Sequence, residues 1–300
     1  LVGNYLPDRQ FSMLQYAGML ERELHTMGVR VILTTPTEIF GRLLRSNKWL
    51  GYIDKLLLFP RSLKKQLRKI ESSTGKKCIV HVCDHSNSPV IRGVRNRPTL
   101  LTCHDMIAIR SAMGEFPGEM PRLLGRVLQD TIRNSIPRAT RIACVSHATE
   151  KELLRILPEI RGRTHVVYNG FNAPYHQQPD NVVEQLLAGL SLPANKTLLL
   201  HVGNNAWYKN RIGVLQIFRA YRQSQPDLKV HLVLAGPELD PRQSDFARQH
   251  ELTDSLQCTG PLDNPQLEAL YCKADALIFP SRCEGFGWPP VEAQSCGCPV

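Results

Sequence analysis

No stretch of the 300 residues approaches the roughly 20 consecutive apolar positions that span a bilayer, so the sequence holds no transmembrane helix candidate. Its opening residues, Leu1 to Gln10, lack the basic stretch and following apolar run of a secretory signal. An initiator Met is missing too. The chain opens inside what reads as a strand and stops at Cys298-Pro299-Val300 where another strand is due, so trimming at both ends is expected. The nine cysteines are odd in number and without framework spacing; Cys78, Cys83, Cys103, Cys144 and Cys258 lie in apolar segments. That pattern excludes a disulfide scaffold and implies reduced thiols in a cytoplasmic protein. The closest pair, Cys296 and Cys298, reads as small residues in a packed turn. A repeat of fixed period, a low-complexity tract, a Walker loop and a G-x-G-x-x-G fingerprint are all missing.

What is present begins with charge. Thirty-seven Lys and Arg against 27 Asp and Glu leave a net charge of +10, which bears on partners rather than on fold. Eleven of the basic residues fall between Gly41 and Lys77, among them Arg42, Arg45, Lys48, Lys64 and Arg68, with only Asp54 and Glu71 to offset them. Trp49, Tyr52 and Phe59 and several leucines are interleaved. Such a segment suits peripheral contact with an anionic membrane, at its inner face. The plainer reading is a solvated helical excursion on the first domain. No recognition motif accompanies the charge, so nucleic acid is not an expected partner.

Short β-branched or apolar runs alternate with longer helical stretches, the mark of βα units and parallel sheets. In the first half, strands are expected at Val29–Thr34, Cys78–Cys83, Thr99–Cys103, Arg141–Val145 and His165–Tyr168. Helices are expected at Phe11–Met27 and Met120–Ile136, the latter stopped by Pro137. Residues 173–196, with Pro174, Pro179 and Pro193, read as a linker region with a short helix at Val182–Leu187. A second alternation follows, with strands at Thr197–Val202, Lys229–Ala235, Leu256–Thr259 and Ala276–Phe279. Helices fall between them at Arg211–Gln223, Arg242–Glu251 and Pro265–Cys272. The length exceeds what one core usually serves. Two domains are therefore expected, 1–172 and 197–300, the second incomplete.

Three segments carry candidate chemistry. In the first, Ser281 to Ala293, a buried strand leads into Glu284-Gly285-Phe286-Gly287, then Pro289 and Pro290, then Glu292. Proline suits a first helical turn. The two glycines let backbone N–H groups approach a ligand, and the helix N-terminus that follows favours a diphosphate. Glu292 falls about one turn inside the helix, where a carboxylate is biased towards ionisation and can accept two hydroxyl hydrogen bonds, such as a ribose offers. The second segment, Leu200 to Arg211, places Gly203, Asn204 and Lys209 at a strand-to-helix turn, the phosphate corner of such sheets. A fixed cation there suits a phosphate-bearing ligand. In the third, His104 and Asp105 follow an apolar strand. Each residue alone has a plain reading as a capping acid, a solvated Lys or a core His; the combination is far more specific.

Glu284 and Glu292 with the intervening Gly-Phe-Gly resemble the E-x7-E motif of GT4-type retaining glycosyltransferases. The 200–211 segment resembles that family's strand-Gly-loop-Lys segment, and 100–106 its strand-His-Asp segment. The resemblance implies α/β architecture of the GT-B kind: two Rossmann-like domains with parallel sheets facing across a cleft. It implies a UDP- or GDP-sugar donor and a glycan or lipid-linked acceptor, as in polysaccharide assembly. It also assigns roles. Glu292 would grip the ribose, Glu284 and His104 the donor sugar, Lys209 the diphosphate, and Gly203, Gly285, Phe286 and Gly287 would line the donor. Ser146, Asn169 and Gly170 match weaker, architectural segments, with Tyr168 and Asn172 departing from the pattern; Pro237, Glu238 and Leu262 are expected near the base.

Two departures matter. Asn204 stands where the family often has Arg, so Arg211 is the candidate substitute cation. No glycine follows Gly3 in the first loop, where many members have Gly-Gly. The acceptor side is therefore expected to be narrower or differently shaped, with Arg9, Ser12 and Asp105 as candidate contacts. No Asp-x-Asp pair falls on a loop that would line the cleft, so neither a metal nor another cofactor is expected. The alternatives are a nucleotide-sugar epimerase and a non-catalytic nucleotide-sugar-binding subunit. A glycosidase using the two glutamates is disfavoured by the ionisation expected of Glu292.

Overall fold

The computed structural model describes residues 1–42, 48–94, 96–171 and 173–300. Arg45 and Asn172 lie outside them, as do the side chains of Lys48 and Trp49. The chain divides into two compact units, Leu1–Asn172 and Ala173–Val300.

In the first unit, β1 (Val80–Val82), β2 (Thr99–Cys103), β3 (Arg141–Cys144) and β4 (Thr164–Val166) form a parallel sheet in that order. Val2 extends it beyond β1, bridging in parallel to both Val82 and Thr34. The spatial order is thus Thr34, Val2, β1, β2, β3, β4, and the direction of winding reverses between Val2 and β1. The strand expected at Val29–Thr34 does not form: only its last residue pairs. Val29 and Ile32 are 46% and 44% exposed, and β-branched residues hold a strand only where packing rewards them.

Helix α1 (Phe11–Thr26) follows the first loop. Helix α2 (Lys48–Ile53), a π-helical turn at Asp54–Leu58 and α3 (Phe59–Thr74) run on without interruption. Phe59, Leu63 and Leu67 recur at helical spacing and are buried in the core with Val80, Val82 and Ile91. The apolar face of α3 is therefore covered, and its Arg61, Lys64, Lys65, Arg68 and Lys69 are exposed. A 3-10 stretch (His85–Val94), α4 (Ile107–Ala112), α5 (Leu123–Arg133) and α6 (His147–Ile156) complete the unit. Ser146 caps α6 by accepting from the Thr149 amide at 3.1 Å.

In the second unit the parallel order is β7-β6-β5-β8, with β5 (Thr197–Val202), β6 (Val230–Ala235), β7 (Leu256–Cys258) and β8 (Ala276–Leu277). Every residue of β6 is buried, as an inner parallel strand covered on both faces requires. One face packs under α8 (Arg211–Ser224) and α9 (Pro241–Gln249), with Phe218 and Leu215 at 0% exposure; burying a side chain of that size contributes roughly 1.5–3 kcal/mol. The other face carries α7 (Asp180–Leu187), α10 (Asn264–Lys273) and α11 (Trp288–Ser295). Residues 173–196 belong to this unit: Val183 and Leu187 sit in the same core as Tyr271 and Ala293. The strand expected at Ala276–Phe279 leaves the ladder after Leu277, ahead of Pro280, which has no N–H to donate. Among the described residues no helix is long and apolar enough to cross a membrane.

Candidate functional site

The winding of the second sheet reverses between β5 and β8, and open parallel sheets bind ligands at such a reversal, beyond the strands' C-terminal ends. The two loops there, 203–210 and 278–287, are stitched together. Asn210 Nδ2 donates to the Pro280 carbonyl at 3.0 Å, the Arg282 amide to the Tyr208 carbonyl at 2.8 Å, and Lys209 Nζ to Glu284 Oε1 at 2.8 Å. Lys209 and Glu284, 75 apart in sequence, therefore meet; Gly203 lies against the Lys209 side chain, and Gly285, Phe286 and Gly287 follow Glu284 in its loop. The side chains of Lys209 and Glu284 are 16% and 24% exposed. The ammonium also lies 5.6 Å from the ring centre of Phe279.

The backbone here is demanding. At Gly236, which ends β6, an added Cβ would stand 2.2 Å from the Gly203 carbonyl oxygen, so only glycine lets the two turns approach. Gly287 is the N-cap of α11 at φ 84°, a left-handed value that glycine adopts freely. Asn204 Oδ1 accepts from the Ala206 amide at 3.0 Å, forming the local turn.

Two expectations are corrected. Arg211 is 2% exposed. One amino group reaches the Asn205 carboxamide and, at 2.8 Å, the Pro237 carbonyl; the other lies 3.8 Å from Cys258 Sγ. Its guanidinium is turned inward, joining the end of β6 to the loop after β5, and does not stand beside Lys209 as a second exposed cation. Glu292, expected to be biased towards ionisation, is 4% exposed and accepts from Tyr271 OH at 2.9 Å. Burial raises its carboxyl to about 7, against the opposing hydrogen bond from Tyr271. Desolvation outweighs the helix terminus because the carboxylate lies beyond the first turn and inside the core. The ionisation argument against a glycosidase therefore fails.

In the first unit the winding reverses between Val2 and β1, and a cavity of about 870 Å³ opens there. Tyr5 to Gln10 form one wall, Glu38 and Gly41 another, and Tyr52, Lys55, Ser86 and Gln129 are among the remaining lining residues. A 3-10 turn at Leu6–Asp8 ends at Arg9 in the left-handed region, φ 51°, and shapes the wall where a Gly-Gly loop was missed. Lys55 Nζ reaches Asp8 Oδ2 at 2.5 Å across the cavity. Arg9 lines it, whereas Ser12 is an exposed residue of α1 that does not. Behind the wall, the buried Asp54 carboxylate accepts from the amides of Ile39, Phe40 and Gly41, each at 3.0 Å, and from Tyr5 OH at 2.9 Å. Burial opposes its ionisation, but these four donors hold the carboxyl below the usual range.

His104, just past β2, is 5% exposed. Its Nε2–H donates to the Cys83 carbonyl at 2.9 Å, and the Tyr16 ring meets its own edge to face at 4.6 Å. Burial lowers its pKa, leaving a neutral ring whose Nδ1 is the acceptor. Asp105 Oδ1 accepts from the Ile107 amide at 2.8 Å and so starts α4. Tyr271, Asn205 and Asp54 were not anticipated. Tyr271 sits on a helix of ordinary pattern, and the other two act through single hydrogen-bonded contacts that have no sequence period. Among the described residues no three His, Cys, Asp or Glu side chains are grouped to hold a metal ion.

Comparison with known proteins agrees with this architecture. Residues 15–173 match the family described as Glycosyltransferase Family 4, and residues 183–300 that described as Glycosyl transferases group 1. A D-inositol 3-phosphate glycosyltransferase of Thermobispora bispora is 27% identical over 214 residues, 68% of this chain and 48% of that protein. The chain thus spans about half the length of the curated relatives it matches. Sucrose-phosphate synthase from Thermosynechococcus elongatus superposes with a TM-score of 0.66 at 18% identity, covering 100% of this chain and 76% of that one. The Anabaena protein HepE, solved with UDP-glucose, gives 0.60 at 18% identity over 94% of this chain and 69% of its own. With two parallel α/β units, a match to half of its length in one family and these structural likenesses, the chain has the GT-B fold and belongs to glycosyltransferase family 4.

Proposed function

We propose that the protein transfers a sugar from a UDP- or GDP-sugar to a hydroxyl of a glycan or lipid-linked acceptor, with retention at the anomeric carbon. The observation that carries this reading is the contact of Lys209 with Glu284, which leads into the 285–287 loop, at the winding reversal of the second sheet. In the proposed reaction the diphosphate draws Lys209 away from Glu284. The ammonium and the N-terminal end of α11 then neutralise charge as the glycosidic bond breaks. Glu284, released, holds a sugar hydroxyl, and Glu292 takes the ribose. His104 is assigned to a further sugar hydroxyl, accepting at Nδ1 because Nε2 is committed to Cys83. The acceptor hydroxyl oxygen attacks the anomeric carbon from the face the leaving group departs, and its proton passes to the departing diphosphate oxygen. The cavity beside Arg9 and Lys55 offers charged and hydroxyl-matching groups of both kinds and is the proposed acceptor site. HepE was solved with UDP-glucose, which supports a uridine donor as the first to try. Peripheral contact of 41–77 with an anionic membrane belongs to the same proposal; with the apolar face of α3 covered, such contact would act through charge.

A thermal-shift panel of UDP- and GDP-sugars, followed by product analysis with and without acceptor, tests the reading. The expected result is donor-dependent stabilisation, then nucleoside diphosphate release matched by sugar on the acceptor. A changed donor sugar without acceptor would make the protein an epimerase. Binding without any turnover would make it a non-catalytic subunit.

A further inference from the structure

At the opposite end of the first sheet from His104 lies a second concavity, of about 460 Å³. Lys77 leads into β1 and Arg97 into β2, so it sits at the N-terminal ends of these strands, whereas His104 follows the C-terminal end of β2. Lys64 and Arg68, four apart on the solvent face of α3, form one wall; Arg92, at the end of the 3-10 stretch, faces from the other side. The single acid of the concavity is committed. Glu71 takes Arg97 through both oxygens, at 2.8 and 2.5 Å, and accepts from the Cys78 amide at 3.1 Å. Lys64, Arg68, Lys77 and Arg92 are exposed, and among the described residues none forms an ion pair, although Lys77 is close enough to Glu71 to help lower its carboxyl.

We infer that this concavity is an anion site built for a phosphate group carrying two or more charges. Four cations left around one recess repel each other unless an anion joins them. Two of the four are arginines, whose planar forks match phosphate oxygens in pairs. Arg97, fixed by Glu71, stiffens the floor, and Gly93 leaves it without a side chain. The same chemistry is offered by a free pyrophosphate or phosphomonoester and by a phospholipid headgroup. The inference does not depend on the proposed transfer reaction, since none of its residues belongs to the cluster around Lys209; its headgroup form rests on the proposed membrane contact of 41–77, in which Lys64, Arg68 and Lys77 lie.

The test uses the Lys209→Ala protein, so that pyrophosphate binding cannot be credited to the nucleotide site. Inorganic pyrophosphate is titrated by calorimetry at low salt, and co-sedimentation is measured with phosphatidylglycerol vesicles against phosphatidylcholine ones. Arg68→Glu/Arg92→Glu is compared with Lys151→Glu/Arg161→Glu, a change of equal charge at exposed positions elsewhere on the unit. Equal melting temperatures establish that both pairs are folded. The expected result is binding lost at least tenfold in the first pair and altered less than twofold in the second. Binding of pyrophosphate marks a soluble ligand, and binding of the anionic vesicles alone marks a headgroup. Equal losses in the two pairs, or no binding of either probe before mutation, overturn the inference.

Discussion

The ammonium of Lys209 lies 2.8 Å from Glu284 Oε1, so the cation expected to meet a diphosphate is already neutralised by the carboxylate expected to face the sugar. Both groups are partly exposed, so breaking the pair costs only about 1 kcal/mol. A nucleoside diphosphate brings more negative charge than one carboxylate and can displace Glu284 from Lys209.

Opposite signatures should follow from the two halves of that pair. Lys209→Ala should lower kcat by about 10²–10³-fold, the usual loss when one donor to a developing anion is removed. Glu284→Gln should also lower kcat, yet tighten UDP or GDP binding about fivefold, because the ammonium is no longer held. Steady-state kinetics and calorimetry read the two effects separately. An unchanged kcat in Lys209→Ala would remove that residue from the site.

Glu292 gives a dependence on pH with a definite sign. Its carboxyl is raised from 4.5 to about 7 in the folded protein. The folded state therefore holds a proton that the unfolded chain has lost, and stability falls as pH rises from about 4.5 through about 7. The fall is on the order of 3 kcal/mol. Donor binding should run the other way, since the ionised carboxylate is the better acceptor for ribose hydroxyls. Glu292→Gln should flatten both profiles. Denaturant unfolding at pH 5 and pH 8, with donor titrations at the same values, checks the sign; parallel trends in stability and binding would contradict it.

Gly236→Ala should act on the site from behind. The new methyl would stand 2.2 Å from the Gly203 carbonyl, forcing the loop that carries Lys209 to shift. The expected cost is about 2–4 kcal/mol, combining overpacking with backbone strain, and donor binding should weaken in step. Gly260→Ala is the contrast: φ is 71° there, but nothing lies within 4 Å of the added carbon, so only about 1 kcal/mol of strain is expected. Comparable losses in both variants would show that the close approach does not matter.

These sites differ in how far the sequence reveals them. Strand β5 was legible to the residue because Thr197–Val202 is a mainly apolar run, broken only by His201 after three leucines, as suits an inner strand of a parallel sheet. The 203–210 and 278–287 loops were legible as well, since glycine, proline and charged residues interrupt apolar strands at fixed offsets. The run Val29–Thr34 has the same composition as a strand yet pairs only at Thr34, because pairing depends on what covers the segment. Arg211 and Glu292 show a similar limit. Their positions near helix starts were plain, but a guanidinium turned onto Pro237 and a buried carboxylate bonded to Tyr271 depend on residues 26 and 21 positions away. Local rules about helix termini carry no term for such burial.

Turnover is expected to persist in EDTA. The proposed neutralisation of the leaving diphosphate uses Lys209 and the start of α11, and needs no divalent ion to supply the charge. Assays with and without Mn or Mg after chelation check this; strict dependence on either ion would require a different account of the departing diphosphate.

Asp54 organises the proposed acceptor cavity without lining it. Its two oxygens collect three backbone amides and the Tyr5 hydroxyl. Asp54→Ala leaves one buried hydroxyl and three partly buried amides without their acceptor, a loss of about 3 kcal/mol. Tyr5→Phe removes one donor and leaves the carboxylate with three, so about 1–2 kcal/mol is expected. The lowered pKa adds an acid limb. Stability from this group is complete above the unfolded value of 3.8 and is lost as pH falls through the lower folded value. Because Glu38 and Gly41 line the cavity, Tyr5→Phe should raise KM for the acceptor while leaving the donor KM and kcat near their original values. A rise in donor KM instead would place the cavity on the donor's path and reassign the acceptor elsewhere.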